Sequence, residues 1–365
     1  MKRRNLLTAM GLGLGGAVLA TPAIAQGPPQ IRWPLAATFP RELDILNGGV
    51  EVLVRRVARL TGNRFVIDRD SSLLPKTDQP MLDFVGGGGA PIGLGASYQA
   101  MDREPALVFD TSVPFGLNAR QQNAWMYQGG GLMLMHELLA DHDVVPFPVG
   151  NTGSQLGGWF RREIRAAQDL NGLKFRVSGM AADVLRRLGG QPQRTGHAGL
   201  RTALEDKTLD AAAWAGPHDD LRLGLHKVAP YCYYPGFLEG NAQLSCYVNR
   251  HAWDRLPPEY REAVEVACAD ANLWVTARYD ALNPAALKQL TAEGAILRPF
   301  PLEILRAAHR ATEEQLEALA SANGRFRKVY SSWKPFRDAQ HLWFRIAENS
   351  FDRSASLQSP ETSRN

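Results

Sequence analysis

The chain has 365 residues, of which 45% are hydrophobic and 21% are charged, the composition of an ordinary globular protein. Its formal net charge is +4 at pH 7, but Lys2, Arg3 and Arg4 contribute three of these charges. The rest of the chain is close to neutral and its arginine runs stop at pairs, which argues against nucleic acid as a partner. The length suits two lobes better than a single core.

The first 26 residues have the pattern of a secretory signal. A basic start at Lys2–Arg4 precedes an apolar run, which is followed by the Ala-x-Ala pattern Ala23-Ile24-Ala25. A membrane-spanning helix needs about 20 apolar residues, so this shorter run predicts a cleaved signal at 1–25 and not an anchor. The pair Arg3-Arg4 resembles a twin-arginine signal and leaves both export routes, Sec and Tat, open. The sequence therefore predicts a mature protein in the periplasm.

The first predicted elements alternate between strand and helix. A strand over Ile31–Ala36 is followed by an amphipathic helix over Leu43–Leu60 and by a second strand over Phe65–Asp68. This order predicts the start of a parallel α/β sheet. Further strands are predicted over Ala90–Ala96, Val144–Val149 and Leu173–Val177, and a helix over Ala181–Leu188.

The C-terminal third is predicted to be mainly helical. Pro257-Pro258 begins a long helix, and Asn283-Pro284 is expected to interrupt or kink it because proline lacks a backbone N–H. Helices over Glu303–Leu319 and Asp338–Asn349 follow, and the polar residues from Ser354 onward are expected to fray.

The cysteines and histidines do not predict a metal site or an enzyme. Cys232, Cys246 and Cys268 lack metal spacing; an oxidising compartment permits a Cys232–Cys246 disulfide, but buried free thiols are the favoured state. No two of the eight histidines have the spacing of a zinc-binding helix, and Ser154 is misplaced for a nucleophile motif. His218-Asp219-Asp220 is interpreted as a helix cap with solvated neighbours. No covalent chemistry is predicted.

Several segments resemble the solute receptors of TRAP (tripartite ATP-independent periplasmic) transporters. They are Asn123–Gly131, Asn151–Ile164, Asp169–Val177, Trp214–Asp220 and Val228–Gly236. The resemblance is greatest to the branch that binds α-keto acids such as pyruvate. It implies an α/β, two-lobed periplasmic solute-binding protein with a ligand cleft between the lobes and a C-terminal helical extension. It also implies lobe I at 27–151 and 241–282, lobe II at 152–240 and 283–336, and a C-terminal helix and tail at 337–365.

The resemblance also implies which residues bind the ligand. Arg176 falls on the family's carboxylate-binding arginine, and a planar guanidinium offers two parallel donors to a carboxylate. Gln155 and Trp214 match two further binding-site positions. Phe39, Tyr98 and Asn151 lie in stretches that resemble cleft-lining loops of the family, which is a weaker match. Glu239 is the acid of the family's Pro-Gly-x-x-Glu-Gly stretch and is a further candidate.

One departure from the family concerns a metal ion. In the α-keto-acid branch a glutamine and a glutamate just before the tryptophan hold a sodium ion, which depends on oxygen donors. Gln155 is kept, but Ala213 replaces the glutamate, so the sequence predicts binding without metal or other cofactor. The alternative is that Gln155, carbonyls near Trp214 and the ligand's own oxygens hold sodium or another cation. Phe237-Leu238, which replace two tryptophans, either enlarge the cleft or are packing changes.

The resemblance implies a substrate-binding subunit that captures an α-keto or other carboxylic acid and delivers it to the two-subunit membrane permease. Two alternatives stay open: a receptor of the same fold for a larger or less acidic ligand without metal, and a periplasmic sensor subunit. The C-terminal helix either forms a homodimer contact, as in the α-keto-acid branch, or folds back onto its own lobe. Its apolar residues are Leu342, Trp343, Phe344, Ile346 and Phe351.

Overall fold

The computed structural model describes residues 28–39, 43–76 and 79–357. The signal predicted at 1–25 and the end of the predicted tail lie outside these ranges. None of the described helices is both long and apolar enough to span a membrane.

The described residues form eleven strands in two sheets. The strands are β1 (Ile31–Ala37), β2 (Phe65–Arg69), β3 (Ile92–Gly95), β4 (Val144–Asn151), β5 (Gly158–Phe160), β6 (Lys174–Arg176), β7 (Gln191–Gln193), β8 (Ala211–Ala212), β9 (Tyr231–Tyr234), β10 (Gln243–Asn249) and β11 (Ile296–Pro299). The first sheet has the order β2-β1-β3-β10-β4, and the second has the order β11-β9-β5-β8-β6-β7.

Thirteen α-helices within the described ranges surround these sheets. They are α1 (Asp44–Leu60), α2 (Met81–Gly86), α3 (Val108–Thr111), α4 (Ala119–Gln128), α5 (Gly131–Ala140), α6 (Gly179–Arg187), α7 (His197–Glu205), α8 (Pro217–Leu223), α9 (Arg250–Asp254), α10 (Pro258–Ala292), α11 (Leu302–Ala322), α12 (Gly324–Ile346) and α13 (Glu348–Ser356). A 3-10 turn at Ser97–Ala100 follows β3.

The first sheet combines parallel and antiparallel strands. β1 is parallel to both β2 and β3, which confirms the predicted strand–helix–strand start. β10 lies between β3 and β4 and is antiparallel to both, so the sheet is mixed. Helix α1 buries Val50, Leu53 and Val57 in the core on this side and packs against α10.

The second sheet encloses an aromatic cluster. The ring of Phe160 lies 5.1 Å from the rings of Phe175 and Tyr233, measured between centroids. The chain crosses from the first sheet to the second between β4 and β5, and it returns between β9 and β10. Residues on these two crossings lie between the sheets, where a two-lobed protein places its ligand cleft.

Three helical predictions differ from the structure. The long helix α10 continues through Pro284 over 35 residues, so the predicted interruption is wrong, whereas a kink there stays a prediction. Packing on both sides of the proline, by Tyr279 before it and Leu290 after it, outweighs the lost hydrogen bond. The last predicted helix begins at Gly324 and not at Asp338, since Asn323 caps its first turn by accepting from the Phe326 N–H at 2.9 Å. The predicted fraying at Ser354 is also wrong, since α13 extends to Ser356.

The C-terminal helices have an inner and an outer face. On the inner face the ring of Phe344 packs under Arg120, and His341 Nε2 lies 2.9 Å from the carbonyl oxygen of Gly116. This part of the extension folds back onto its own lobe. On the outer face the apolar side chains are exposed, between 56% and 69%; they are Leu342, Trp343, Ile346 and Phe351.

The cysteines are free and buried, as favoured from the sequence. Cys232 lies on β9 in the second sheet and Cys246 lies on β10 in the first, so this pair does not form a disulfide.

Candidate functional site

Arg176 ends strand β6, and its side chain is fixed by three contacts. Nη1 donates to the carbonyl of Ala213 at 2.7 Å, and Nε donates to the carbonyl of Thr195 at 3.3 Å. The guanidinium carbon lies 4.6 Å from the ring centre of Trp214, within the range of a cation–π contact. The orientation of the guanidinium is therefore set by the protein itself.

Glu239 and Gln155 come from the two crossings and meet beside Arg176. The Gln155 N–H donates to the Glu239 carbonyl at 3.3 Å, and the Gln155 side chain also bonds the Glu239 carboxyl group. Gln155 Nε2 lies 3.1 Å from the hydroxyl oxygen of Thr152, to which it donates. Burial raises the pKa of Glu239 to about 7, against the opposing effects of the Arg176 charge and the Gln155 hydrogen bond. The structure thus brings together four sequence-predicted residues: Arg176, Trp214, Gln155 and Glu239.

Within the part of the chain that the structure describes, no hydrogen bond connects Asn151 or Phe39 to these four residues. Asn151 is fully buried; its Nδ2 donates to Asn241 Oδ1 and its Oδ1 accepts from the Gly153 N–H, both at 3.0 Å. These bonds brace the two crossings against each other. Phe39 packs against the core of the first lobe, where Trp214 also packs.

Two cavities adjoin Tyr98. The smaller, of about 10 Å³, is also lined by Glu239, Thr111 and Ser112. The larger, of about 360 Å³, is lined by charged residues such as Asp102 and Arg194, and of the predicted site residues it contains Tyr98 alone. We take the smaller cavity as the candidate site, because Glu239 lines it and its carbonyl accepts from the Gln155 N–H. Sequence reasoning missed Thr111 and Ser112, since no motif marks them and tertiary contacts alone place them here.

Three positions depart from the family pattern, and the structure shows what surrounds each of them: Ala213, Phe237 and Leu238. The side chain of Ala213 is buried in an apolar cluster with Phe237 and Leu238. Phe237 stacks on Phe115 with ring centroids 5.2 Å apart, so it is a packing residue, whereas Leu238 borders the smaller cavity. The donors near Gln155 fit a cation poorly, because position 213 offers no carboxylate and burial raises the pKa of the neighbouring Glu239 to about 7, which disfavours its charged form.

A second polar cluster joins α1 to α8. Asp44, His218 and Asp219 each have a side-chain atom that could coordinate a metal ion, and these atoms lie within 4.8 Å of one another. His218 Nε2 is 2.9 Å from Asp44 Oδ1. Arg222 Nη1 lies 3.6 Å from the same carboxylate and supplies a positive charge, so the cluster is an ion-pair group. The interpretation of the aspartates as solvated was wrong, because Asp219 and Asp220 are buried.

The buried Asp220 predicts a pH dependence of stability. Its Oδ2 accepts from Trp159 Nε1 at 2.8 Å, its Oδ1 has no hydrogen-bond partner, and burial raises its pKa from 3.8 to about 8. The folded state therefore holds a proton that the unfolded state releases, so this contribution to stability falls as the pH rises from about 4 to about 8. We expect Asp220→Asn, which cannot ionise, to gain stability relative to the wild type across this range.

Thermal unfolding of both proteins between pH 4 and pH 9 checks this expectation. The difference in Tm between the variant and the wild type should grow with pH and then level off. A difference that does not change with pH would contradict the assignment.

Comparisons with known proteins agree with this architecture. The family model described as bacterial extracellular solute-binding protein, family 7, matches residues 36–323. The chain is 40% identical over 364 residues to a monocarboxylate 2-oxoacid-binding periplasmic protein of Nostoc sp., covering 98% of this chain and 99% of the relative.

Two solved structures share the fold over most of their length. A TRAP transporter solute-binding protein from Bordetella bronchiseptica RB50 is 40% identical, with a TM-score of 0.86 over 90% of this chain and 98% of its own; it is a mixed-occupancy dimer with calcium and picolinate in one active site. A TRAP periplasmic solute-binding protein from Pseudoalteromonas atlantica T6c is 36% identical, with a TM-score of 0.85 over 89% of this chain and 99% of its own, and it holds sodium and pyruvate.

These matches confirm the predicted fold class, the resemblance to TRAP receptors and the location in the periplasm. They also confirm that the protein serves transport and is not an enzyme. The chain therefore belongs to family 7 of the bacterial extracellular solute-binding proteins, as the periplasmic receptor of a TRAP transporter.

Proposed function

We propose that the protein captures a small monocarboxylic acid, of the 2-oxo-acid kind, between its lobes and presents it to the two membrane subunits of a TRAP permease. The observation that carries the proposal is the guanidinium of Arg176, held by the carbonyls of Ala213 and Thr195 and by the face of Trp214. A guanidinium fixed in this way binds a carboxylate through parallel hydrogen bonds. The relatives that hold pyruvate or picolinate support the proposal, because both molecules are monocarboxylates.

Within this site we assign the following roles. Arg176 binds the ligand carboxylate, Gln155 donates to a second ligand oxygen in exchange for its bond to the Glu239 carboxyl group, and Trp214 forms an apolar wall. Tyr98 and Glu239 line the cavity beside them. No feature of the described residues favours a larger ligand or a sensor role.

In this proposal Asn151 and Phe39 do not contact the ligand, and each supports a part of the protein that borders the cleft. Asn151 is fully engaged with Asn241 and Gly153, so it positions the crossing that carries Gln155. Phe39 completes the first-lobe core at the edge of the cleft.

We also propose that the acid is bound without a tightly held cation. The support is the methyl group at Ala213 in place of the family's carboxylate, and the burial of Glu239, which disfavours its charged form. The relatives from Bordetella and Pseudoalteromonas hold calcium or sodium, so the alternative is a cation held by Gln155, Glu239 and the carbonyl of Trp214.

A thermal-shift experiment tests both the ligand class and the cation. Pyruvate, picolinate, lactate and succinate are added to the mature protein in matched sodium, potassium and chelator-containing potassium buffers. We expect monocarboxylates to raise the Tm equally in all three buffers. No rise with any acid would contradict the proposed function, whereas a rise that needs sodium or calcium would contradict the cation-free proposal alone.

We propose that the outer face of α12 and α13 contacts a second copy of the chain. Its apolar side chains Leu342, Trp343, Ile346 and Phe351 are each more than half exposed, and the Bordetella relative is a dimer. Sedimentation of the mature protein and of a chain ending at Arg337 tests this proposal. We expect a dimer for the full chain and a monomer after truncation; a monomer in both cases would contradict it.

We propose lobe boundaries that follow the predicted ones except at one place. The predicted second lobe includes 283–336, but Leu316, Phe326 and Trp333 pack with Phe109 in the core of the first lobe. We therefore assign 316–336 to the first lobe.

A further inference from the structure

Thr111 and Ser112 carry buried hydroxyl groups that have no hydrogen-bond partner within the protein. Thr111 is the last residue of α3, and Ser112 continues it in an extended conformation. A buried hydroxyl that lacks a partner is unfavourable, and most such groups in folded proteins are paired. Two on consecutive residues therefore call for a partner that comes from outside the chain.

Asp110, the residue just before them, differs from the two hydroxyls because both of its carboxylate oxygens have hydrogen-bond partners. Asp110 is buried and accepts hydrogen bonds from Ser245 Oγ at 2.7 Å, from Gln243 Nε2 at 3.0 Å and from Ser97 Oγ. The protein thus supplies partners for Asp110 but none for the next two side chains.

Both hydroxyl-bearing residues line the cavity of about 10 Å³ that also contains the Glu239 side chain. This volume suits one group of about the size of a water molecule or a hydroxyl. Ser178 and Gly179, which follow Arg176 at the end of β6, line the same cavity, and the Gln155 N–H donates to the Glu239 carbonyl at 3.3 Å, so the cavity adjoins the carboxylate-binding position. A ligand held by Arg176 can therefore present a second polar group to Thr111 and Ser112.

We propose that Thr111 and Ser112 form a subsite for an uncharged hydrogen-bonding group of the ligand, beyond the carboxylate that Arg176 binds. This inference rests on the proposed function. A hydroxyl group both donates and accepts, so the subsite takes an oxo oxygen, a hydroxyl or a ring nitrogen equally. None of the described residues that line this cavity is cationic, so a second carboxylate would enter it without a positive partner. The ligand class is then a small acid with one neutral polar substituent, and not a dicarboxylate or an unsubstituted fatty acid.

Calorimetry with four probes on the mature protein and on Thr111→Val tests the subsite. The probes are pyruvate and lactate, which carry the neutral group, propionate, which lacks it, and malonate, which has a second carboxylate. We expect the wild type to prefer pyruvate or lactate to propionate and malonate. Thr111→Val should lose roughly tenfold or more in affinity for the preferred acid and change little toward propionate.

Stability provides a second readout that a merely structural role would not give. Because the Thr111 hydroxyl has no partner, Thr111→Val should leave the Tm of the ligand-free protein unchanged or higher. The matched control is Thr312→Val, whose buried hydroxyl donates to the Ala308 carbonyl at 2.9 Å; it should lower the Tm and keep the wild-type ligand preference. Ser112→Ala repeats the test if Thr111→Val does not fold.

The outcomes separate this inference from the function on which it rests. Acids that bind Thr111→Val and Ser112→Ala with the wild-type preference would overturn the subsite and leave the receptor function intact. Loss of affinity confined to sodium buffer would also overturn it, because the hydroxyls would then serve a cation. If no acid binds the wild type, both proposals fail.

Discussion

Replacing Arg176 with alanine is expected to cost about 2–5 kcal/mol of binding free energy, a loss of roughly thirtyfold to several thousandfold in affinity. The reason is that the ligand carboxylate would enter the space between the lobes with no positive group to pair with it. Lysine should restore little, because it cannot reproduce the contacts with the Ala213 and Thr195 carbonyls and with the Trp214 ring together.

Calorimetry with the acid found by thermal shift measures this loss, and the Tm of each variant shows whether the fold is kept. Arg194→Ala is the matched control, since Arg194 borders the larger cavity and pairs with Asp102 at 2.8 Å. Affinity that is unchanged in Arg176→Ala but lost in Arg194→Ala would move the site to the larger cavity.

A second large effect is expected from Gly236→Ala. A Cβ at this position would lie 2.1 Å from the carbonyl oxygen of Gln155 and 2.7 Å from its carbonyl carbon. These are backbone atoms and cannot move aside as the end of a flexible side chain can. We expect about 3 kcal/mol or more of lost stability, at or above the upper end of the usual cost of overpacking. The displaced Gln155 should also weaken ligand binding.

Denaturant unfolding and calorimetry check the two parts of this expectation. Gly324→Ala, at the start of α12, is the control, because an added Cβ there meets nothing within 4 Å. It should leave binding unchanged and stability equal or slightly higher. Wild-type stability and affinity in Gly236→Ala would show that the two crossings are not held in close contact.

The sequence predicted local elements better than their assembly. Hydrophobic periodicity was sufficient for α1 and for the strands on either side of it, because each of these elements buries one regular face. The local rule that proline ends a helix was misleading at Pro284, where packing of α10 along its whole length overrides the local cost of proline. The insertion of β10 between β3 and β4 depends on a chain return from the second sheet, which no local pattern encodes.

The same distinction holds for the site. Arg176 and Gln155 could be identified because they lie in segments that resemble a known family. The hydrogen bond between Gln155 and Glu239 joins residues far apart in the chain, and Thr111 and Ser112 reach the cavity beside Glu239 only through the packing of α3. Burial and unpaired hydrogen-bonding groups are properties of the folded chain, so they could be found only in the structure.

The buried cysteines make the receptor ready for thiol labelling. Burial raises the pKa of Cys232 and Cys268, and all three native thiols are shielded from solvent, so none should react with a maleimide dye. Cysteines introduced at Asp102 and Arg194, exposed partners that line the larger cavity, would then be the reactive pair. A fluorophore and a quencher at these positions would report any change in their separation when an acid is added, without replacing a native cysteine.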